Sequence, residues 1–415
     1  MSKMKVIALF ANLLFVGSMV CSAKDIKPVG DAVAIVKAEE LISQKKYLSA
    51  YKMLDKYDPR NEKSVIFLKK VDIVQNYFLF NIMNQIFCLD DIPLDKTVEE
   101  LRGNEEASGC SSVMFAIDTI AEMLLLKEPS NAQLYRCLAD FYVSVARRFG
   151  DQWIEPTTQA DLMARARVYY LKANNLGLNN NEITANIAES YLHQENYRNA
   201  RRYYANAIAL SADTIANYHY NTALAYYLDP DSGDFALAAK HSSIAARHYT
   251  QGSDYQYDAL YIAGMSQMRM GQPSVAIANF RKANAISPNR NYLLFSTIEA
   301  QLKAKAQDWR TTTETYIVLF ANNTDLTSRL PELFAQTDST KLNELKNLFA
   351  ERMKKTSVEL EIANLNLATA QICMYGDNKS EARSYLLKAK DFFARDTDEY
   401  DSILGYINQL LKHAK

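Results

Sequence analysis

The chain has 415 residues, a formal net charge of −1, and only twelve glycines and nine prolines. Such low glycine and proline contents are typical of helices joined by short turns, and they disfavour a β-sandwich or β-barrel. Because nucleic-acid affinity depends on clustered Lys and Arg, the balanced charge and the lack of a basic stripe argue against nucleic acid as a partner.

The N-terminus has the three parts of a secretory signal peptide. Two early lysines provide the charge, residues 6–20 are apolar, and small residues follow at 21–23. We therefore expect residues 1–23 to be removed and the rest of the chain to be exported, to the periplasm or the cell surface. Lipid attachment at Cys21 is the less favoured alternative, because the three residues before it fit a lipoprotein signal poorly. No later stretch is long and apolar enough to predict a membrane span.

Residues 24–111 form the first predicted section, which we expect to be helical. One helix pair is indicated by Ala38, Leu41, Tyr47, Ala50 and Leu54. Helical periodicity then covers residues 64–89, and a polar, less regular stretch follows up to residue 111.

Self-similarity is the strongest signal in the second section, residues 112–323. Segment 181–213 carries small and aromatic residues at fixed offsets, namely Ala188, Tyr191, Tyr197, Ala200, Tyr204, Ala207 and Leu210. The pattern returns over 257–288 with Ala263, Gly264, Gly271, Ala276, Phe280, Ala283, Ile286 and Pro288. A third copy lies between them, over residues 220–227 followed by Phe235, Ala238 and Ala245. Ala200, Ala238 and Ala276 are spaced 38 residues apart, so these units are consecutive.

This pattern resembles the tetratricopeptide repeat, a helix pair of about 34 residues in which small residues let the two helices approach and aromatic residues fill the gaps. The resemblance, to the exported bacterial type, implies an all-α fold. It also implies a right-handed superhelical solenoid of helix pairs, with first helices lining a concave face and second helices outside.

Weaker copies flank the clear ones. Upstream, Leu138, Ala139 and Tyr142 suggest a first helix, and Ala166, Tyr170, Ala173 and Leu176 a second helix. Residues 291–323 predict a degenerate copy, in which Thr312 stands at the position of the key alanine. The third section, residues 324–415, has helical periodicity over residues 330–354. It also contains one more copy of the pattern, at Ala370, Cys373, Ala382, Leu386 and Ala389. Residues 112–127, at the start of the second section, are also predicted to be helical.

The cysteines remaining after Ala23 match no metal or redox spacing. Buried free thiols in helices are the expected state of Cys137 and Cys373. For Cys88 and Cys110 the same state is favoured, with a disulfide in an oxidising compartment as the alternative.

No motif predicts catalysis, a metal or a cofactor. The five histidines, at positions 193, 219, 241, 248 and 413, join no metal-binding or nucleophile pattern, and no nucleotide-binding loop occurs. Segment 229–234 superficially resembles a calcium loop, but Lys240 stands where the closing carboxylate is needed, so we interpret it as a turn. We therefore expect a protein that is not an enzyme.

The candidate site consists of first-helix positions that face the groove in this family. They are Arg136, Asp140, Glu189, His193, Tyr220, Leu224, Tyr227, Tyr261, Met265, Met268 and Arg269. Their aromatic and methionine surfaces suit an adaptable groove for a peptide or helix, although contact with a neighbouring repeat is the alternative for each single residue. The Lys, Asn and Arg clamp of the family's chaperone-binding members is not reproduced.

Taken together, these features predict a non-catalytic scaffold or assembly factor of the cell envelope that holds a segment of another protein. The alternative is a carbohydrate-binding uptake protein, because a class of bacterial glycan-binding lipoproteins also uses such repeats. That class normally carries a lipoprotein signal, which makes a glycan the less favoured partner.

Overall fold

The computed structural model describes residues 30–102, 109–153 and 156–414, without the side chain of Leu326. The predicted signal peptide and Cys21 lie outside the described residues. The chain divides into two compact units, Met1–Thr157 and Thr158–Lys415. This division falls inside the predicted second section, and the section boundaries at residues 111 and 323 stay predictions.

The first unit contains six helices and a small sheet among its described residues. The helices are α1 (Asp31–Ser43), α2 (Tyr47–Tyr57), α3 (Ser64–Asn76), α4 (Val98–Leu101), α5 (Ile117–Lys127) and α6 (Ala132–Phe149). The strands are β1 (Phe80–Ile82), β2 (Ile86–Leu89) and β3 (Ser111–Met114), paired antiparallel in the order β1-β2-β3. Helices α1 and α2 form the predicted N-terminal pair.

The sheet corrects the predicted helix over residues 64–89, which ends at Asn76, and the predicted helix over 112–127, whose first residues form β3. Met83 and Asn84 adopt positive φ angles of 51° and 58°, which reverses the chain between β1 and β2. The indole Nε1 of Trp153 donates a hydrogen bond to the Met83 carbonyl at 2.9 Å. A distant side chain thus holds the turn, and local periodicity gives no sign of it.

A disulfide joins Cys88 on β2 to Cys110, with 5.6 Å between their Cα atoms. The favoured interpretation of this pair as free buried thiols was therefore wrong, because the sheet brings together two cysteines that a helix would have kept apart. The expectation for Cys137 and Cys373 is confirmed, since both are free and buried.

The second unit is all-α over its described residues. Its helices are α7 (Gln159–Asn175), α8 (Asn181–His193), α9 (Tyr197–Leu210), α10 (Ala216–Tyr227), α11 (Phe235–His248), α12 (Asp254–Arg269), α13 (Pro273–Ile286), α14 (Asn291–Lys303), α15 (Trp309–Phe320), α16 (Thr324–Thr337), α17 (Leu342–Lys355), α18 (Glu359–Tyr375), α19 (Lys379–Phe393) and α20 (Thr397–His413). The pairs α8–α9, α10–α11 and α12–α13 reproduce the clear predicted copies, and α18–α19 reproduces the weaker C-terminal copy. The helical-repeat architecture is thus confirmed.

Small residues explain the close packing within each pair. Ala200, Ala238 and Ala276 are fully buried, as their place in the repeat requires. A Cβ atom on Gly264 would lie 2.3 Å from Cε1 of Phe280, so α12 can approach α13 only because this residue has no side chain. The repeat register derived from the sequence is therefore correct at these positions.

Three local predictions differ from the structure. Helices α6 and α7, predicted to form one repeat, belong to different compact units. Residues 330–354 are divided between α16 and α17 by a 3₁₀ turn over Ser339–Lys341, where the Asp338 side chain accepts a hydrogen bond from the Thr340 N–H. In α15 the fully buried small residue is Thr313 and not Thr312, and its hydroxyl donates to the Trp309 carbonyl at 2.8 Å.

Candidate functional site

Each first helix of the second unit packs against the first helices of the neighbouring pairs. Helix α10 packs against α8 and α12, and α14 packs against α12 and α16, in addition to each helix's own partner. The second helices α9, α11 and α13 pack mainly against first helices instead. We therefore call the accessible side of α10, α12, α14 and α16 the inner face.

Seven of the eleven predicted site residues lie on the adjacent helices α10 and α12. Those on α10 are Tyr220, Leu224 and Tyr227, and those on α12 are Tyr261, Met265, Met268 and Arg269. All except Arg269 are partly buried, and Arg269 is exposed. The structure thus brings together the aromatic and methionine part of the predicted groove.

The inner-face tyrosines also support the core. The Tyr261 ring packs edge-on against the Tyr292 ring at 5.1 Å between centroids, and its hydroxyl lies 3.3 Å from the Ser296 hydroxyl. Tyr220 packs edge-on against Tyr249 at 6.3 Å. Tyr220 and Tyr261 therefore combine a packing contact with an accessible edge, as anchors of a rigid binding surface do.

The other four predicted residues form two separate i, i+4 contacts on helix surfaces, an Arg–Asp ion pair and a His–Glu contact. Arg136 Nε and Asp140 Oδ2 are 3.3 Å apart on α6, and His193 Nε2 and Glu189 Oε1 are 3.9 Å apart on α8. Arg136 and Asp140 belong to the first unit and the remaining nine residues to the second. Exposed pairs of this kind contribute little to stability.

The structure adds residues to the inner face that the sequence interpretation missed. Asp258 lies on α12 before Tyr261, and α14 contributes Tyr292, Phe295 and Glu299. Tyr292, Phe295 and Glu299 follow Asp258, Tyr261 and Met265 by one repeat length of 34 residues. That spacing is the signal that could have found them, had the degenerate copy over 291–323 been treated as a full repeat.

The inner face continues into a cleft of about 360 Å³ between α14 and α16. Its lining consists of Phe295, Glu299, Lys303, Arg329, Glu332, Leu333, Gln336 and Thr337. The Arg329 guanidinium lies over the Phe295 ring at 4.4 Å from its centroid. Aromatic surface and isolated charges therefore alternate along four consecutive first helices.

Burial sets the protonation of the inner-face tyrosines. It raises the pKa of Tyr220 to about 12, and it also raises the pKa of Tyr261. Both phenols are neutral at physiological pH and can donate a hydrogen bond while presenting an apolar ring. This combination suits binding better than proton transfer.

The segment resembling a calcium loop is a polar turn. Asp229 Oδ1 accepts hydrogen bonds from the backbone N–H groups of Asp231 and Ser232, and its Oδ2 lies 2.8 Å from Nη1 of Arg201. The Arg201 guanidinium is therefore already paired with the carboxylate that would have to bind a calcium ion. No group of three or more metal-binding side chains occurs among the residues that the structure describes.

Two histidines of the α10–α11 pair contact each other. The Nδ1 atoms of His219 and His241 are 2.9 Å apart and their rings stack at 5.1 Å. Burial, followed by the electrostatic effects of His219 and Lys240, lowers the pKa of His241 to about 4. The sequence predicted no contact between these residues.

No helix within the described ranges is long and apolar enough to cross a membrane.

Comparisons with known proteins give distant structural similarity only. No family model and no curated protein matches the sequence. The chain is similar to PilF of Pseudomonas aeruginosa, with 14% identity over 68% of this chain and 99% of that chain and a TM-score of 0.35. It is similar to the C-terminal part of a TPR repeat-containing protein of Cytophaga hutchinsonii, with 13% identity over 68% and 92% and a TM-score of 0.41. It is also similar to YrrB, described as a TPR protein with an unusual peptide-binding site, with 16% identity over 54% and 91% and a TM-score of 0.31.

Proposed function

We propose that the chain is a non-catalytic scaffold of the cell envelope, an assembly or tethering factor that holds a segment of another protein on the inner face of its second unit. The observation that carries this proposal is the strip of aromatic and methionine side chains at first-helix positions of the adjacent helices α10, α12 and α14. Its members are Tyr220, Tyr227, Tyr261, Met265, Met268, Tyr292 and Phe295.

The chemistry of the strip favours a polypeptide. Tyrosine provides a large contact area at low cost in side-chain entropy, and methionine adapts its shape to different apolar partners. Asp258, Arg269 and Arg329 place charges at separate positions along this surface, so one chain direction of a bound segment is favoured over the other. An extended or helical segment, whose side chains repeat every few ångströms, can use all of these contacts together.

The proposed envelope location rests on the N-terminal signal and is supported by the disulfide. Disulfides persist in oxidising compartments and are rare in the cytosol. The disulfide between Cys88 and Cys110 closes the only sheet among the described residues. Intact-mass measurement of the protein purified from its native cells should give a chain that begins at Lys24, whereas a lipid-modified chain beginning at Cys21 would overturn this part of the proposal.

Affinity capture with matched variants tests the binding function. The tagged mature protein is used to capture material from solubilised envelopes, beside an inner-face variant with Tyr227→Ala and Met268→Ala. The control variant carries Arg247→Ala and Lys282→Ala on the second helices α11 and α13, where both side chains are exposed. We expect one dominant protein partner that binds about tenfold or more weaker to the inner-face variant and normally to the control, because interface anchors often contribute about 2 kcal/mol or more.

Two other outcomes would contradict parts of this proposal. Equal retention by both variants would contradict binding on the inner face. Retention of polysaccharide in place of a protein, supported by a glycan-array signal that the inner-face variant loses, would favour the carbohydrate-binding alternative.

A further inference from the structure

Asp258 is the one inner-face carboxylate of α12, and it is half-buried between first helices. Among the described residues, no hydrogen bond or ion pair reaches this carboxylate. Glu299 on α14, by contrast, is paired with Lys303 at 2.5 Å. Asp258 therefore presents a charge that the fold has partly removed from water without giving it a partner, which is unfavourable unless a ligand completes the site.

Two tyrosines lie near this carboxylate. Tyr220 on α10 and Tyr249, which follows α11, both lie within electrostatic range of Asp258. The Tyr249 hydroxyl donates to Asn217 Oδ1 at 2.6 Å, and its ring stacks with the exposed Tyr255 at 5.6 Å. The ring positions are thus fixed by contacts of their own, and their faces add favourable electrostatics for a cation.

Arg290, the cationic side chain that acts electrostatically on Asp258, is engaged in other contacts. Arg290 lies 2.6 Å from Asp254 Oδ1 through Nη2 and donates through Nε to the Ser287 hydroxyl at 2.7 Å. Its guanidinium also lies over the Tyr257 ring at 4.3 Å. In agreement with this arrangement, the pKa of Asp258 is raised, because burial outweighs the opposing effect of Arg290.

We propose that Asp258, with the rings of Tyr220 and Tyr249, forms a subsite for a cationic side chain, lysine or arginine, of the segment bound on the inner face. This inference rests on the proposed function and adds a chemical requirement on the partner. A basic side chain would supply the missing hydrogen-bond donors to the carboxylate, and its aliphatic stem would lie against the rings. An acidic side chain at the same place would meet an unpaired carboxylate and is disfavoured.

A peptide-based double-mutant cycle tests the subsite. A positional-scanning library of soluble dodecapeptides is screened on the immobilised mature protein, and the best peptide is remade with citrulline in place of arginine, or norleucine in place of lysine. We expect the library to select lysine or arginine at one position, and the neutral replacement to weaken binding about tenfold. In Asp258→Asn, which preserves size, the charged and neutral peptides should bind with affinities within about twofold of each other.

Asp213→Asn is the matched control, because this exposed residue in the turn between α9 and α10 loses the same charge without touching the inner face. It should keep the tenfold preference. If peptides bind but no basic residue is selected, or if Asp258→Asn keeps the preference, the cation subsite is wrong while the groove function stands. If the library yields no peptide that binds, the proposed function itself fails, and the subsite with it.

Discussion

At the scale of single residues, the packing positions follow directly from the sequence, because side-chain volume decides how closely two helices can approach. Gly264 and Ala276 were identified from spacing, and both lie where α12 meets α13. Asp258 and the His219–His241 contact were not identified. The environment of Asp258 depends on neighbouring repeats, and the histidine contact depends on how α10 packs against α11. No local pattern encodes these contacts.

Replacing Gly264 with alanine should destabilise the second unit by about 1–3 kcal/mol. The added Cβ would lie 2.3 Å from the fully buried ring of Phe280, and this overpacking outweighs alanine's better helix propensity. Urea unfolding of the two proteins measures the difference. Gly405→Ala on α20 is the control, because a Cβ there has no neighbour within 4 Å, and its stability should stay equal or rise slightly. Equal stability of Gly264→Ala and the parent would mean that the α12–α13 packing is wrong.

The His219–His241 pair should make the stability of the second unit depend on pH between about 6.5 and 4. The pKa of His241 is lowered to about 4 in the folded protein, so in this range the unfolded chain binds more protons and stability falls as the pH falls. After burial, the groups that act most strongly on His241 are His219 and Lys240, and both oppose the added charge. Arg201 of α9 lies over the Tyr226 ring that stacks on His241.

Urea unfolding at several pH values between 4 and 7 checks this dependence. His241→Gln should show a flatter decline than the parent over the same range, whereas His193→Gln, which alters an exposed histidine on α8, should follow the parent. Parallel curves for His241→Gln and the parent would contradict the assignment.

At the scale of elements, helices with a full repeat pattern were predicted well and the elements of the first unit were not. Helices α8 to α13 have the predicted order and pairing, because each needs only its neighbour in sequence to bury its apolar side. The strands β1, β2 and β3 depend on a hydrogen bond from Trp153 and on a disulfide across 22 residues. Sequence periodicity over 64–89 could not distinguish this short hairpin from the continuation of a helix.

Removing the disulfide with Cys88→Ser and Cys110→Ser should destabilise the first unit by about 3 kcal/mol, since the cross-link closes a loop of 22 residues and restricts the unfolded chain. Trp153, whose indole contacts the hairpin, reports on this unit when Trp309 is replaced by phenylalanine. Urea unfolding is followed by Trp153 fluorescence, and its midpoint should lie at a lower urea concentration in the double variant than in the parent. In the parent, the midpoint should fall only after reductant is added. A parent that responds to reductant no more than the double variant would show that the two thiols are free.

At the scale of the whole molecule, the sequence predicted the helical repeat and placed seven residues on the inner face, where we propose that the partner binds. The seven predicted residues on α10 and α12 are adjacent, since a regular repeat carries equivalent positions to the same side. The contribution of α14 and α16 was missed because their repeats have lost the small-residue pattern while keeping the spacing. The identity of the partner is not encoded in any of these features.

The central claim is that the inner face of the second unit holds a protein segment, and site-specific photo-crosslinking in the native cells tests it most directly. A photoreactive amino acid is placed at Arg269 on α12 or, in a second strain, at Lys282 on α13, two exposed positions on the two helices of one repeat. We predict that the probe at Arg269 crosslinks to one defined segment of a single envelope protein and that the probe at Lys282 does not. Crosslinks to that protein from Lys282 alone, or from neither position while the partner still co-purifies, would contradict the claim.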